Sequence, residues 1–505
     1  MKPSHTTSKL LLAFAGSVAI SVLTACATPH YVDVNGSNAT PPFLDWSTAA
    51  TNIQDAIDAA TAGDLILVTN GLYNTGGRLV HGLLTNRVAV TKSVAVQSVN
   101  GPAVTTIEGY WTPSTTNGDN AVRCVYLTNG ALLSGFTLTN GATRNYSTNH
   151  SQEEAGGGVW CESLSATVTN CVITKNSAYY AGGGAFNGTL QNCILSGNRS
   201  GLGAGTAYSE VYASMLTANT SPALTPIGGV ISFGTVNSCM LVSNSAACAA
   251  GSATLNNCTI ARNSGVGAMN CFLYNCTVAT NSGSGVSQST LNNCIVYYNS
   301  SQNYGNYCVF RYCCTTPLPG GAGNFTNAPL FENLAAADFH LQTSSPCINS
   351  GKNSYATNAT DLDGNPRIVN GTVDIGAYEF QGSGSLISYA WLQQYGWPTD
   401  GSADFADADG DGANNWQEWR ADTNPTNALS VLRMVTVANG TPGLQVTWQS
   451  VPTRSYWLDR ATNLASPPSF SSIASNLAGQ VGTTTYADTN AIGPGPFFYR
   501  VGVQP

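Results

Sequence analysis

Charged residues are scarce in this sequence. Only 9% of its 505 residues are Asp, Glu, Lys or Arg, whereas an average globular domain has about 25%. Lys and Arg together number 18 and form no basic stripe, which argues against a nucleic-acid partner. Asp is missing from the whole stretch between Asn120 and Ala337, so the repeats in this stretch are short of the carboxylates that glycoside hydrolysis requires.

Two further absences narrow the class of protein. The 15 Cys include no Cys-x-x-Cys pair, so a zinc site is not expected. No apolar run after residue 23 is long enough to span a bilayer. Gly, by contrast, is abundant at 53 residues, and this composition favours a large fold of short strands and tight turns.

Residues 1–26 have the pattern of a signal peptide. Lys2 and Lys9 precede an apolar run from Leu10 to Leu23, and this order is typical of exported proteins. The residues that end at Cys26 resemble a bacterial lipobox, in which Cys26 carries a lipid anchor to the membrane. Alternatively, Ala25-x-Ala27 is an ordinary cleavage site and Cys26 is removed. The sequence therefore predicts an exported chain, either an outer-membrane lipoprotein or an extracellular protein.

A short phrase repeats through the middle of the chain. Most copies have the form hydrophobe-x-Asn-Cys-x-hydrophobe followed by a second Asn, as in VTNCVITKNS, LQNCILSGNR, VNSCMLVSNS, LNNCTIARNS, LYNCTVATNS and LNNCIVYYNS. A weaker copy, VYASMLTANT, has Ser214 in the Cys position. The Asn near the end of each copy recurs every 18 to 25 residues. A period near twenty without a helical pattern indicates a solenoid.

Each repeat is expected to form one coil. The Cys and the hydrophobe two positions later, such as Cys258 and Ile260, share one strand face, and the second Asn suits a left-handed corner. Stacked coils would align these residues in ladders about 4.8 Å apart, with parallel strands. The sequence therefore predicts an all-β, single-stranded parallel β-helix. A leucine-rich horseshoe needs several Leu and a helical segment in each repeat, and these units have neither.

The repeats resemble those of right-handed parallel β-helix proteins, the superfamily that includes pectate lyases and polygalacturonases. The segment from His30 to Tyr73 resembles the start of that domain in secreted bacterial members. Within it, residues 52–60 have an apolar helical face, which predicts a helix that caps the first coil. We expect the β-helix to occupy residues 30–335, with an early coil in which Gly135 takes the Cys position and Asn140 the corner.

Cysteines in an exported chain would usually form disulfides. Most of these occupy the repeat position, where a buried thiol packs as a small hydrophobe. We therefore expect free stacked thiols at Cys171, Cys193, Cys239, Cys258, Cys276 and Cys294. Pairing among Cys308, Cys313, Cys314 and Cys347 stays open.

A different pattern begins at Ala336. Residues 336–380 resemble the segment that closes many secreted bacterial β-helices, sometimes called a choice-of-anchor module. Its charged residues are interpreted as a turn and salt-bridge cluster, with a Ca²⁺ or sugar site as the alternative: Asp361, Asp363, Arg367, Asp374 and Glu379. Residues 381–387 have the composition of a flexible linker.

Residues 388–427 contain the most specific chemical motif of the sequence. The segment DADGDGANNWQE, which starts at Asp407, matches the Ca²⁺ loop of EF-hands at positions 1, 3, 5, 6 and 12. The predicted Ca²⁺ ligands are Asp407, Asp409, Asp411, the carbonyl of Ala413, and Glu418. The flanks resemble a thrombospondin type 3-like loop, so we expect a helix and Ca²⁺-loop module, with a metal-free acidic turn as the alternative.

Residues 430–505 contain alternating apolar segments separated by turn signals. They resemble a small fibronectin-like β-sandwich with room for about six strands. Trp448, Trp457 and Tyr499 are assigned to its core rather than to a sugar-binding surface.

Candidate catalytic residues lie in an insertion between the coils that end at Asn140 and Asn176. It carries Arg144, His150, Glu153 and Glu154, residue types that serve general acid and base catalysis. From neighbouring coils, the residues that could join them are Arg123, Glu162 and Glu210. A solvated surface loop is the alternative. The paired-aspartate signatures of pectate lyases and polygalacturonases are missing, so no catalytic residue is carried over from the resemblance.

These observations predict a monomeric, exported β-helix protein of the cell envelope. It would act in adhesion or bind a polysaccharide or cell-surface glycan, and Ca²⁺ would stiffen it near the C-terminus. The first alternative is a polysaccharide lyase or glycoside hydrolase that acts on acidic glycans through the 143–162 loop. The second is a non-catalytic structural spacer.

Overall fold

The computed structural model describes residues 27–147, 149–222, 228–465 and 470–504. The predicted signal peptide 1–26, with Cys26, lies outside them. The described chain confirms the predicted all-β class, with four short α-helices at Ile53–Ala59, His150–Glu153, Tyr389–Gln394 and Asn415–Ala421. None of the helices in the described ranges is both long and apolar enough to cross a membrane.

Most of the chain is a parallel β-helix with two long sheets. Sheet A has 19 strands and sheet B has 11, and most coils give two strands to sheet A and one to sheet B. The strands of sheet A are Pro29–Val32, Leu65–Val68, Arg78–Leu79, Thr85–Val90, Ala95–Ser98, Val122–Leu127, Leu132–Ser134, Val159–Cys161, Thr167–Thr169, Ala185–Phe186, Thr189–Gln191, Thr206–Tyr212, Gly229–Asn237, Cys248–Asn256, Val266–Met269, Phe272–Tyr274, Val286–Ser287, Thr290–Asn292 and Val309–Arg311. Those of sheet B are Gly71–Tyr73, Thr105–Glu108, Thr137–Thr139, Val172–Thr174, Ile194–Ser196, Met215–Thr217, Met240–Val242, Thr259–Ala261, Thr277–Ala279, Ile295–Tyr297 and Cys314–Thr315.

The predicted Asn residues form a ladder of hydrogen bonds. In this Asn ladder, the side-chain amide of every member except the last, Asn299, donates to the Oδ1 atom of the next member, one coil further on, at 2.9–3.0 Å. Its members are Asn176, Asn198, Asn219, Asn244, Asn263, Asn281 and Asn299. Because these amides are mostly buried, the ladder satisfies polar groups that would otherwise destabilise the fold.

The left-handed corners differ from the prediction. The ladder residue Asn176 does not have positive φ; the residue before it does, with φ 55° at Lys175. The first Asn of the repeat also takes this conformation, with φ 53° at Asn170. The two Asn residues of one repeat therefore have different roles, one in backbone geometry and one in hydrogen bonding.

In the early coil, the predicted Cys position and corner are each wrong by one residue. Thr137 pairs with Val172, so Phe136, and not Gly135, lies opposite Cys171. Likewise Gly141, and not Asn140, donates its N–H to Asn176 Oδ1 at 2.8 Å. This coil lacks a Cys, so its sequence offered nothing to set the register.

The N-terminal helix and the cysteines follow the prediction. The first helix begins at an N-cap, Asn52, whose side chain accepts from Asp55 N at 2.9 Å, and it buries Ile53, Ala56 and Ile57. The six repeat cysteines are free thiols, and so are Cys308, Cys313, Cys314 and Cys347. Burial raises the pKa of the Cys239 thiol to about 12, so this thiol stays protonated and inert.

Two antiparallel pairs form at the closing segment: its strand Asp338–Leu341 pairs with Phe331–Asn333, just before the segment, and Ile368–Val369 pairs with Thr372–Val373 within it. Its buried acids hold the backbone. Asp374 accepts from the N–H groups of Asn349 and Phe380, each at 2.7 Å. Buried Arg367 donates to the carbonyls of Asp374 and Gly376 at 2.8 Å. These contacts favour the turn cluster over a metal or sugar site.

Residues 381–387 are not a flexible linker, contrary to the prediction from composition. Ser385 and Ile387 are fully buried, and Ser385 N donates to Thr399 O at 3.0 Å. Leu386 N donates to Asp404 Oδ2 at 2.8 Å. The segment is fixed because the helix that follows it packs on the closing segment, where Tyr389 N donates to Ile348 O.

The C-terminal part is a β-sandwich of two three-stranded antiparallel sheets. Their strands are Met434–Gly440, Gly443–Ser450 and Gly482–Asp488, and Ser455–Ala461, Ser471–Ala478 and Phe498–Val503. Trp448 is in the core and Tyr499 packs partly against it. Trp457 was wrongly assigned to the core: its neighbour Tyr456 points inward, and strand alternation turns Trp457 outward.

Candidate functional site

A row of aromatic side chains crosses successive coils on the outer surface of sheet A. Tyr126 and Trp160 are register partners and stack at 5.5 Å between ring centroids with an interplanar angle of 9°. Phe186 lies 6.3 Å from Trp160, Tyr208 lies 5.6 Å from Phe186, and Phe233 stacks on Tyr208 at 4.9 Å. We call these five residues the aromatic row.

The insertion covers one half of the aromatic row. Tyr126 and Trp160 are buried, and the indole N–H of Trp160 donates to Ser151 O at 2.6 Å. Tyr208, by contrast, is 42% exposed, and Phe186 is half-buried. The open half of the row therefore begins where the insertion ends.

Two of the four predicted catalytic residues anchor the insertion. Glu153 is buried and accepts from Leu83 N at 2.5 Å and from Arg144 at 2.9 Å. Arg144 also pairs with Asp119 at 2.7 Å. Burial by itself would raise the pKa of Glu153, but the hydrogen bonds from Leu83 and Arg144 bring it below its ordinary value. The hydrogen bonds of Glu153 and Arg144 therefore hold the insertion in place.

The other two form an oriented pair. Glu154 is buried, and its Oε2 atom lies 2.7 Å from His150 Nδ1. Its Oε1 atom accepts from Ser147 N. The side chain of His150 is 64% exposed, and its ring centroid lies 6.0 Å from that of Tyr180. A buried carboxylate that orients an exposed imidazole is the arrangement used for general bases.

Two of the charged residues predicted to join the insertion, Arg123 and Glu162, lie beside the aromatic row. Arg123 is buried, donates to the carbonyls of Gly156 and Ala155 at 2.9 and 2.8 Å, and lies 5.9 Å from the Trp160 ring centroid. Burial lowers its pKa to about 9. Glu162 accepts from the hydroxyl of Tyr126, so it adjoins the aromatic row.

Glu210 accepts from the Tyr212 hydroxyl at 3.1 Å, on the later part of its strand. Its contacts do not join it to the insertion. The structure therefore brings Arg123 and Glu162 to the aromatic row, whereas the hydrogen-bond partner of Glu210 is Tyr212.

Sequence reasoning missed the aromatic row and His81, whose ring lies 5.6 Å from those of both Tyr126 and Trp160. The repeats do contain a sequence signal for the aromatic row. Phe186, Tyr208 and Phe233 each precede the Cys or Ser of their repeat by six or seven residues. An alignment of the coils on that position would have revealed a shared aromatic column.

The acidic loop at 407–418 has the geometry of a cation site. One oxygen from each of Asp407, Asp409 and Asp411 lies within 4.8 Å of the others. Asp407 accepts from Gly410 N and Gly412 N at 2.8 and 2.9 Å, which folds the loop around this point.

Glu418 closes the loop from the helix Asn415–Ala421. It is fully buried, and burial and the facing carboxylates of Asp409 and Asp411 raise its pKa to about 7. Oδ2 of Asp409, Oδ2 of Asp411 and Oε2 of Glu418 are buried and lack hydrogen-bond partners among the described residues. Unpaired oxygens from several carboxylates are the donor set that Ca²⁺ takes, so these residues fit the predicted ion.

No family model matches the chain, and no curated protein matches it in sequence. Similar solved structures include pectate lyase Pel9A, with 14% identity, 70% of this chain and 96% of that chain covered, and a TM-score of 0.46. A rhamnogalacturonan lyase has 13% identity, coverage of 68% and 96%, and a TM-score of 0.41. Pectin methylesterase PemA from Erwinia chrysanthemi has 10% identity, coverage of 50% and 81%, and a TM-score of 0.28. At these identities the likeness concerns the fold alone.

Proposed function

We propose that this chain is an exported polysaccharide-binding protein of the cell envelope. The open half of the aromatic row, Phe186, Tyr208 and Phe233, is the surface on which the sugar chain lies. The observation that carries the proposal is the parallel stack of the exposed Tyr208 on the half-buried Phe233, at 4.9 Å and 12°. Sugar rings present apolar C–H faces, which pack on aromatic rings, while their hydroxyls stay hydrated.

Polar groups beside the row support the same function. Tyr180 is 42% exposed, and burial together with the nearby Tyr180 raises the pKa of Tyr208. The side chain of His150, 64% exposed, lies next to Tyr180. A few polar groups around an aromatic surface provide orientation and specificity in ligand sites.

Binding is tested with the mature chain and a panel of acidic and neutral polysaccharides in affinity electrophoresis. We expect Tyr208→Ala to weaken retention at least tenfold. Phe272→Ala is the matched control, because Phe272 is also exposed, at 54%, but lies outside the row. Equal retention of wild type and Tyr208→Ala on every polysaccharide of the panel would overturn the assignment of the row.

The oriented imidazole supports a second candidate function, that of a lyase of uronate polymers. His150 would take the C5 proton of a uronate while the C4–O bond breaks, a C4=C5 double bond forms, and the leaving oxygen takes a proton from water. New unsaturated chain ends, formed by wild type and His340→Gln but not by His150→Gln, would establish this activity. Without cleavage, the protein binds but does not react; without retention either, it is a structural spacer.

We also propose that Ca²⁺ occupies the 407–418 loop. The four carboxylates would hold it, together with the carbonyl of Ala413, and its effect would be to stiffen the module between the closing segment and the sandwich. Anchoring through a lipid on Cys26 and a monomeric state remain predictions. The mass of the mature N-terminal peptide and light scattering test them.

A further inference from the structure

A second aromatic cluster lies in the module that carries the acidic loop. Trp391 and Tyr395 contact each other at 4.9 Å between ring centroids. Tyr395 and Trp397 stack at 5.2 Å with an interplanar angle of 28°, and Trp391 lies 5.8 Å from Trp397. All three side chains are partly exposed. We call them the Trp–Tyr–Trp cluster.

The local fold holds this cluster in place. Leu392 is fully buried with Ile387 and Ala403, and Trp391 and Trp397 pack partly against this small core. Trp397 N donates to Leu392 O at 3.0 Å, and Gly396 takes a left-handed φ of 72° that lets the chain fold back. The rings are therefore ordered before any ligand arrives, which lowers the entropic cost of binding.

The polar edges of the three rings are unused. The indole N–H groups of Trp391 and Trp397 and the hydroxyl of Tyr395 make no hydrogen bond within the described ranges, nor are they among the buried unpaired atoms. The aromatic groups under the insertion differ, because Trp160 donates to Ser151 O and Tyr126 to Glu162. Solvent-facing donors at the rim of exposed rings can reach the hydroxyls of a bound sugar.

We propose that the Trp–Tyr–Trp cluster is a second carbohydrate-binding surface, and that its ligand is a neutral pyranose polymer. This second proposal does not rest on the proposed function of the aromatic row, because the two surfaces share no residues.

Two observations select this ligand. The rings contact one another directly, so they leave no space to enclose a quaternary ammonium group, and a ligand must lie on their outer faces. No Lys or Arg of the described residues lies over these three rings; the cation–ring contact in this module is that of Arg420 with Trp416, at 5.1 Å. A uronate chain would therefore find no cation on this surface to pair with its carboxylates, whereas a neutral sugar ring needs none.

The test uses the mature chain with Ca²⁺, retained on insoluble neutral glucans (cellulose and starch) and titrated with their soluble oligosaccharides by intrinsic fluorescence. We expect Trp397→Ala and Trp391→Ala each to lower retention at least tenfold. Trp397→Phe, which keeps a ring, should retain part of the binding. Trp46→Ala is the matched control, since Trp46 is 43% exposed in the N-terminal region. Melting curves identify any variant that fails to fold.

Binding of neutral glucans by wild type that is unchanged in both Ala variants would overturn the proposal. So would the absence of retention on any neutral polymer, or retention of acidic polymers alone that is lost in Trp397→Ala. Tyr208→Ala separates the two surfaces: it should spare retention through the Trp–Tyr–Trp cluster, and its effect on other polymers reports only on the aromatic row.

Discussion

At the residue scale, the buried Asn side chains each serve several neighbours. Oδ1 of Asn244 accepts from the backbone N–H and the side-chain amide of Asn219, both at 3.0 Å. Its own amide donates to Leu216 O at 2.9 Å and to Asn263 Oδ1 at 3.0 Å. One side chain thus connects three coils, and its loss leaves buried donors without partners.

We expect Asn244→Ala to destabilise the β-helix by about 3 kcal/mol, since several buried polar groups lose their partners. Urea unfolding followed by circular dichroism measures this. Asn192→Gly is the control, because Asn192 occupies a left-handed corner with φ 53° that Gly adopts readily. Equal losses in the two variants would contradict the role of the ladder.

A single histidine on the closing segment should make stability depend on pH. His340 Nε2 lies 2.6 Å from Asp363 Oδ2, and its Nδ1 lies 2.6 Å from Asp338 Oδ1. The bond to Asp363, then that to Asp338, against the opposing effect of burial, raises the pKa of His340 from 6.5 to about 9. The charged form is therefore favoured in the folded state.

Since the folded-state pKa is raised, this stabilisation is complete below pH 6.5 and is lost as pH rises to about 9. The side chain is 46% exposed, so screening limits the effect to about 1 kcal/mol. The difference in Tm between wild type and His340→Gln should shrink over this range. A constant difference would show that the ion pairs do not contribute.

At the scale of elements, the insertion over the aromatic row depends on buried charges in a short segment. Glu153 accepts hydrogen bonds from Leu83 in an earlier coil and from Arg144 in the insertion itself. The helix His150–Glu153 has only four residues and cannot be stable alone. These contacts, and not helix propensity, position His150.

Replacing Glu153 should loosen the insertion without unfolding the coils. We expect Glu153→Ala to speed proteolytic cleavage within residues 144–154 at least tenfold, because Arg144 and Leu83 N lose their buried partner. Limited proteolysis with mass spectrometry detects the site. Glu332→Ala, at an exposed position, should leave the cleavage rate unchanged; a similar rate in Glu153→Ala would argue against the anchoring role.

The acidic loop should make its module depend on Ca²⁺. At a concentration ten times a Kd of about 10⁻⁴–10⁻³ M, the ion should stabilise the module by about 1.4 kcal/mol. We expect Glu418→Gln or a chelator to remove this stabilisation, which calorimetry measures as a lower Tm of the module. Asp400→Asn is the matched control, because Asp400 is exposed in the same module but outside the loop. A melting curve insensitive to Ca²⁺ would exclude the site.

At the scale of the whole molecule, the last coils, the closing segment and the loop module share a buried core, whereas the sandwich has a core of its own. The closing segment packs on the last coils, where Ala261, Ile295 and Cys314 share a buried cluster with Tyr389 of the next module. The sandwich has its own core around Trp448. One of its contacts with the preceding module is a hydrogen bond from Arg454 Nε to Arg420 O at 2.9 Å.

This division predicts two unfolding transitions. The β-helix, closing segment and loop module should unfold together, while the sandwich unfolds separately. Calorimetry of the mature chain should show both, and brief proteolysis should cut between residues 422 and 434 and release a folded C-terminal fragment. One transition with coincident loss of all signals would contradict this division.

Much of the fold could be predicted from sequence because the repeat is local. The Cys, the apolar residues and the second Asn recur with each coil, so their common interior position follows from periodicity alone. Register was predictable only where the Cys marks it, and the coil at Phe136 was therefore misassigned by one residue. The acidic loop could also be found, since its oxygens come from one short segment.

The solenoid, its interior and the acidic loop thus follow from sequence alone, because each depends on residues within one repeat or one turn. The stacking of coils, which no local pattern shows, places Glu153 beside Leu83 and aligns Trp160, Phe186 and Tyr208. Tertiary packing also fixed residues 381–387 against Asp404. The reason is that coil lengths vary between these residues, so their proximity depends on how successive coils stack.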